Sequence, residues 1–281
     1  MNKQEYLNNE IVKDFINWLI PRISGKVEFV HHYVNSRDKS LWECNSIFNA
    51  FENYKWRFNC VIPNIGKTSG NTFLESKDAL EIIEKGMKYA IQENNQENLL
   101  EYSSSILEWG GVKRSNYTRL KNMEESIIDY YKDSIIRLNP ETIDTNDDFS
   151  GINMNSGFTK IYSLLINNFV IYDSRVGAAL GLLIKTFLTE KNITIIPEEL
   201  NFAYGNARPT NNDIGPLNRR NPSNEKYKFP VLTNNDKKHI KNNIYANWLL
   251  KELSDKSKFQ NESSPIRALE SALFMIGYSV N

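Results

Sequence analysis

A mostly α protein with a small β element near its N-terminus, an α+β chain, is the fold class this sequence predicts, on three observations. Apolar residues recur at helical spacing from about residue 76 onward. Runs rich in β-branched and aromatic residues occur earlier, over 27–34 and 54–62. The turn chemistry of Pro63-Asn64-Ile65-Gly66 and Ser69-Gly70-Asn71 closes that early region. The organisation expected is a mixed α/β region over 1–75 and a helical domain over 76–281.

In order along the chain, residues 11–20 predict a short amphipathic helix stopped by Pro21, which lacks the N–H the ladder needs. Strands are expected over 27–34 and 54–62; in the second, Tyr54, Trp56, Phe58 and Cys60 alternate with Lys55, Arg57 and Asn59. Residues 42–51 fit a helix or an extended piece. Ala79, Ile82, Ile83, Met87 and Ala90 mark the next helix, and 99–107 another, ended by Gly110-Gly111. A helix over 117–138 is broken by Pro140, and the acidic stretch 144–148 reads as a linker or loop. Helices over 157–166 and 173–188 follow. The stretch 204–230, with Pro209, Pro216, Pro222 and Pro230, shows little periodicity, and a loop that long is usually functional or disordered. Helices over 236–253 and 265–276 end the chain.

Composition excludes several classes. The 281 residues suffice for a substantial core, in one large domain or two smaller ones. No apolar run approaches the roughly 20 residues that span a bilayer, so no membrane partner is expected. Residues 1–10 are polar and acidic or amide-rich, so neither signal nor transit peptide is expected, and the protein is expected in the cytoplasm. Cys44 and Cys60 read as buried thiols in a reducing compartment. Two cysteines, three histidines and no CxxC assemble neither a zinc site nor an iron–sulfur cluster, so no metal and no cofactor is expected. Chemistry then falls to carboxylates, amines and hydroxyls. A net charge of zero argues against coating nucleic acid by bulk charge but leaves room for a local basic face. Ile65-Gly66-Lys67-Thr68 imitates the end of a P-loop, yet Val61 stands where the first glycine is required, which excludes that site.

The segment richest in chemistry is Asn155-Ser156-Gly157-Phe158-Thr159-Lys160, followed by Ile171-Tyr172-Asp173-Ser174-Arg175-Val176. Asp173 precedes an apolar helix and fits an N-cap; a carboxylate so held is also fixed in direction, as a group facing positive charge at a departing sugar must be. Lys160 fits a solvated side chain on a first helical turn, or an amine nucleophile, which needs a desolvated or cation-flanked environment. Trp109 fits a buried aromatic beside a helix end, or a stacking wall or wedge for a flipped nucleotide. The loop carries Arg208, Arg219, Arg220, Lys226 and Lys228, and Lys237, Lys238 and Lys241 follow. With Tyr204 and Tyr227 it fits a solvated loop or a surface for phosphates and an extruded base.

The segments 157–161 and 170–176 resemble the hairpin lysine and downstream aspartate of the helix-hairpin-helix DNA glycosylases, closest to the 8-oxoguanine glycosylase branch. The resemblance implies a glycosylase-like helical bundle in which Lys160 attacks the sugar and Asp173 assists departure of the base. It also implies a hairpin, Ser156, Gly157 and Thr159, that grips a phosphate. Arg175, Arg208, Arg219 and Arg220 are then expected on DNA, and Trp109 and Tyr172 at the base pocket. The chain departs from the family pattern in its lone hairpin glycine and in a shorter interval from lysine to aspartate. The function expected is a DNA glycosylase that excises a modified or damaged base, with lyase chemistry if Lys160 reacts covalently, acting in repair or in defence against phages with modified DNA. The alternatives are a non-catalytic DNA-binding protein using the same hairpin and loop, and a helical adaptor using the apolar segment 268–278.

Overall fold

The computed structural model describes residues 1–123, 126–207 and 215–281. In chain order the elements are α1 (Lys3–Asn8), α2 (Glu10–Ile23), β1 (His31–Val34), β2 (Leu41–Cys44), α3 (Ile47–Glu52), β3 (Phe58–Ile62) and β4 (Gly66–Gly70). They continue with α4 (Phe73–Gln92), α5 (Gln96–Trp109), α6 (Lys113–Lys121), α7 (Ile127–Arg137), α8 (Phe158–Leu165), α9 (Ser174–Glu190), α10 (Asp236–Lys256) and α11 (Pro265–Ile276). The protein is mostly helical, as the periodicity predicts. Two compact units are formed, Met1–Tyr54 with Tyr172–Asn281, and Lys55–Ile171.

In the first unit, α9, α10 and α11 carry most of the core, with Phe187, Trp248, Leu249 and Leu273 buried. Tyr6 of α1 stacks on Tyr245 of α10 with centroids 4.7 Å apart. Helix α2 continues through Pro21, contrary to the expected stop. The proline lies two residues from the end, so it costs one N–H bond, to the Asn17 carbonyl, with less than a turn of helix beyond it to disturb, and the Arg22 guanidinium donates to the Trp18 carbonyl at 2.8 Å. The ambiguous segment 42–51 contains both alternatives, β2 and α3. Strands β1 and β2 pair antiparallel, Tyr33 opposite Trp42, with the two rings stacked at 4.8 Å.

His31 on β1 ties down the C-terminal segment, its Nε2 lying 3.1 Å from the Ile276 carbonyl and 2.8 Å from that of Ser279. Burial lowers its pKa below the ordinary 6.5, outweighing those two bonds. The unfolded chain then binds the proton more readily, so the His31 contribution is present above about pH 6.5 and is lost as pH falls. Melting temperature should drop between pH 7 and about pH 5, with a shallower drop in His31→Gln; an unchanged slope would remove His31 from the account.

Glycine is required where α11 meets α9. A Cβ at Gly277, the residue after α11, would coincide with the carbonyl of Arg175, which is backbone and cannot swing aside. Gly277→Ala should therefore destabilise by about 3 kcal/mol, an overpacking effect, seen as a lower urea midpoint. A midpoint equal to that of the parent would contradict the close approach.

The second unit holds the other hairpin and helices α4 to α8. Strands β3 and β4 pair from Phe58 opposite Gly70 to Ile62 opposite Gly66, so part of the segment read as turn chemistry is a strand. Gly66-Lys67-Thr68-Ser69-Gly70 has little strand propensity; its pairing with β3 decides the matter. The expected helix over 117–138 is two helices, α6 and α7. The Asn122 and Met123 amides turn back onto Thr118 and Leu120 and end the first. Gly110 ends α5, and Gly111 takes φ +66°, as the sequence predicts. Cys44 and Cys60 are both buried, and burial pushes their thiols up to about 12 and about 11.

Candidate functional site

Helix α8 is buried on all sides, all eight of its residues included. Such a helix belongs to a core, and within it Lys160 is only 5% exposed, which replaces the solvated reading of this lysine. Its Nζ donates to the Ser156 carbonyl at 2.8 Å. Its aliphatic stem runs over Gly110, where a Cβ would coincide with Cδ and Cε of the lysine. The amine is thus withdrawn from water by a path open only because residue 110 lacks a side chain.

The segment before α8 is held by Asn155. Its Oδ1 accepts from the Gly157 amide at 2.8 Å and from the Phe158 amide at 3.2 Å. A side-chain oxygen therefore occupies the place a phosphate oxygen would take, and the expected hairpin grip by Ser156, Gly157 and Thr159 is corrected. Thr159 is fully buried, and Ser156 turns its carbonyl toward Lys160. Gly157 is not there for a left-handed turn: its φ is −83°. A Cβ would coincide with the Asn116 Nδ2, and that approach requires the glycine.

Asp173, in the first unit, is the N-cap of α9. Its Oδ1 accepts from the amides of Arg175 at 2.8 Å and Val176 at 3.2 Å, a cap worth about 1 kcal/mol. The carboxylate is half-buried. Tyr172 holds the chain at this point. Its hydroxyl donates to the Ala203 carbonyl at 2.5 Å and lies 3.2 Å from the Asn242 Oδ1, and its own carbonyl lies 2.9 Å from His239 Nε2. Burial and then the Asp173 charge raise the phenol well above its ordinary range, so it remains a donor. His239 and Asn242 tether Tyr172, the residue before Asp173; the sequence contains no local signal for them, because they lie some seventy residues downstream on α10.

Three expected surface arginines behave differently. Arg175 is 6% exposed, with its guanidinium 4.1 Å from the Phe274 ring centre and 4.9 Å from that of Tyr278. Burial and then the Arg220 charge lower its proton affinity, and Asp173 opposes them; a guanidinium so placed is still charged at neutral pH. Arg219 is buried, its guanidinium 5.0 Å from the Tyr278 ring centre. Arg220 donates to the Ser174 hydroxyl at 2.6 Å. Arg175 and Arg219 are therefore corrected from exposed DNA contacts to buried groups packed on aromatic rings, while Arg220 sits beside the N-terminus of α9. Arg208 lies outside the described residues.

The base-pocket expectations are corrected too. Tyr172 is fully buried, and Trp109, 9% exposed, packs in the other unit with its Nε1 donating to Ser76 Oγ at 3.1 Å. Neither ring offers an open face for stacking. Tyr204 and Tyr227 are likewise buried, the latter donating to the Ile193 carbonyl at 2.6 Å. The described parts of 204–230 carry neither helix nor strand beyond a bridge from Tyr204 to Val231, yet these aromatics anchor them. Lys226 and Lys228 remain exposed.

Among the described residues no helix is long and apolar enough to cross a membrane, and no three His, Cys, Asp or Glu side chains gather as a metal site. Comparisons with protein-family models, curated proteins and solved structures find no match.

Proposed function

We propose that the protein is a DNA glycosylase that removes a modified or damaged base after flipping it out of the stack. The observation that carries this reading is a pair of opposite character on successive helix starts: a buried amine, Lys160, on α8, and a carboxylate of fixed direction, Asp173, capping α9. An amine kept from water suits nucleophilic attack on a sugar carbon, and a carboxylate of fixed direction suits a developing positive charge. In the reaction the C1′–N bond breaks, the base leaves with the bonding electrons and takes up a proton, and Lys160 bonds to C1′ after giving up a proton. Loss of a further proton and opening of the sugar ring give an imine, which water hydrolyses.

Labelled oligonucleotides carrying modified bases, and DNA from phages with modified genomes, provide the test. Alkali-dependent breaks at the modified position support the reading. DNA that is retarded in a gel but intact on every substrate refutes it in favour of a binding protein. The biological setting we propose is defence against phages with modified DNA; equal plaque counts with and without the protein would refute that part alone.

A further inference from the structure

The proposed reading requires a grip on DNA phosphates, and the hairpin amides of Gly157 and Phe158 are already bonded to Asn155. Helix α6 offers one. Its sequence, Lys113-Arg114-Ser115-Asn116-Tyr117-Thr118-Arg119-Leu120-Lys121, has four cations in nine residues and no acid, in a protein whose net charge is zero. Lys113 is engaged by Glu108 at 2.6 Å. Arg114, Arg119 and Lys121 are exposed, and no ion pair to them is formed among the described residues. Arg114, Thr118 and Lys121 follow one another at helical spacing, with Ser115, Arg119 and Asn122 beside them, all exposed. Hydroxyl, amide and guanidinium groups of this kind are the side chains that contact phosphates.

The opposite side of α6 is built into the lysine's surroundings. Asn116 is buried, donates to the Val112 carbonyl at 2.8 Å, and accepts from Asn155 Nδ2 at 3.0 Å. Gly157 packs against the same Asn116 side chain. The chain enters α6 from Gly110, over which the Lys160 stem lies. Two separate contacts therefore fix the basic face of α6 relative to Lys160, within one compact unit.

We infer that the exposed face of α6, through Arg114, Arg119 and Lys121, binds the phosphate backbone of DNA and carries much of the salt-dependent affinity. This inference rests on the proposed function for the identity of its partner. Phosphates of duplex and of single-stranded DNA share the chemistry, and the two differ in salt slope per contact, about 0.9 and about 0.7.

The test uses the full chain, with fluorescence anisotropy on labelled duplex and single-stranded oligonucleotides over a salt series. The variant Arg114→Gln/Arg119→Gln/Lys121→Gln is compared with Lys85→Gln/Lys88→Gln/Lys132→Gln, which removes the same charge elsewhere in the same unit. On the strand type that binds, the α6 variant should lose about 2 to 3 from the slope of log affinity against log salt. Its KM should rise about 10-fold or more with little change in kcat, the signature of lost uniform binding, and the control should stay near the parent. An α6 variant indistinguishable from the parent, or a control that loses as much, overturns the inference; base excision persisting in that variant leaves the glycosylase reading standing. A parent chain that binds neither DNA overturns both.

Discussion

Asp173→Asn should fold like the parent and lose base excision by about 100-fold or more. Asparagine caps a helix as well as aspartate does, and its Oδ1 can keep both bonds to the Arg175 and Val176 amides. What disappears is the negative charge, the property the reaction needs opposite a developing positive sugar, and loss of such a group typically costs about 100-fold or more. Thermal melts should show a lower melting temperature with a single cooperative transition, because the buried Arg175 loses the opposing Asp173 charge while the helix cap is kept. Full excision by this variant would reduce Asp173 to a helix cap and remove the carboxylate from the mechanism. Asp173→Ala would lose cap and charge together, so a fall in its activity alone would decide nothing.

The second large effect concerns Lys160 and the glycine beneath it. Lys160→Met keeps an unbranched apolar stem in the buried path and removes the amine, so borohydride should trap no adduct with DNA. Gly110→Ala tests the same geometry without touching the lysine. Gly110 has φ −81° and ψ −3°, a conformation open to alanine, but the new methyl would coincide with Cδ and Cε of Lys160. The amine must move, and displacement of a reacting group by about 1 Å costs on the order of 100-fold. Trapped adduct should therefore fall steeply in Gly110→Ala while the helix content stays that of the parent. Adduct formation undiminished in Lys160→Met would assign the nucleophile elsewhere.

Much of the fold was legible where the signal is local. Pro265 opens α11, Gly110-Gly111 closes α5, and Asp173 caps α9, each through chemistry contained within a turn of helix. Features set by distant partners were not. Nothing in Gly66-Lys67-Thr68-Ser69-Gly70 announces a strand, because β3 makes it one. The burial of Lys160 depends on Gly110, fifty residues earlier, and the tether on Tyr172 depends on α10. Tyr204 and Tyr227 read as loop aromatics free to meet a ligand, whereas the structure uses them as anchors for a segment without periodicity. A single helix over 117–138 hides that α6, Lys113–Lys121, holds four cations and no acid. Of the candidate site, Lys160 and Asp173 are singled out by the sequence, and their surroundings only by the structure.

The most direct test of the central claim is mass spectrometry of the small molecules released when the purified protein acts on DNA containing modified bases. A glycosylase releases a free modified base, with abasic sites formed in equal amount. DNA that binds the protein yet yields no free base from any modified substrate would contradict the claim.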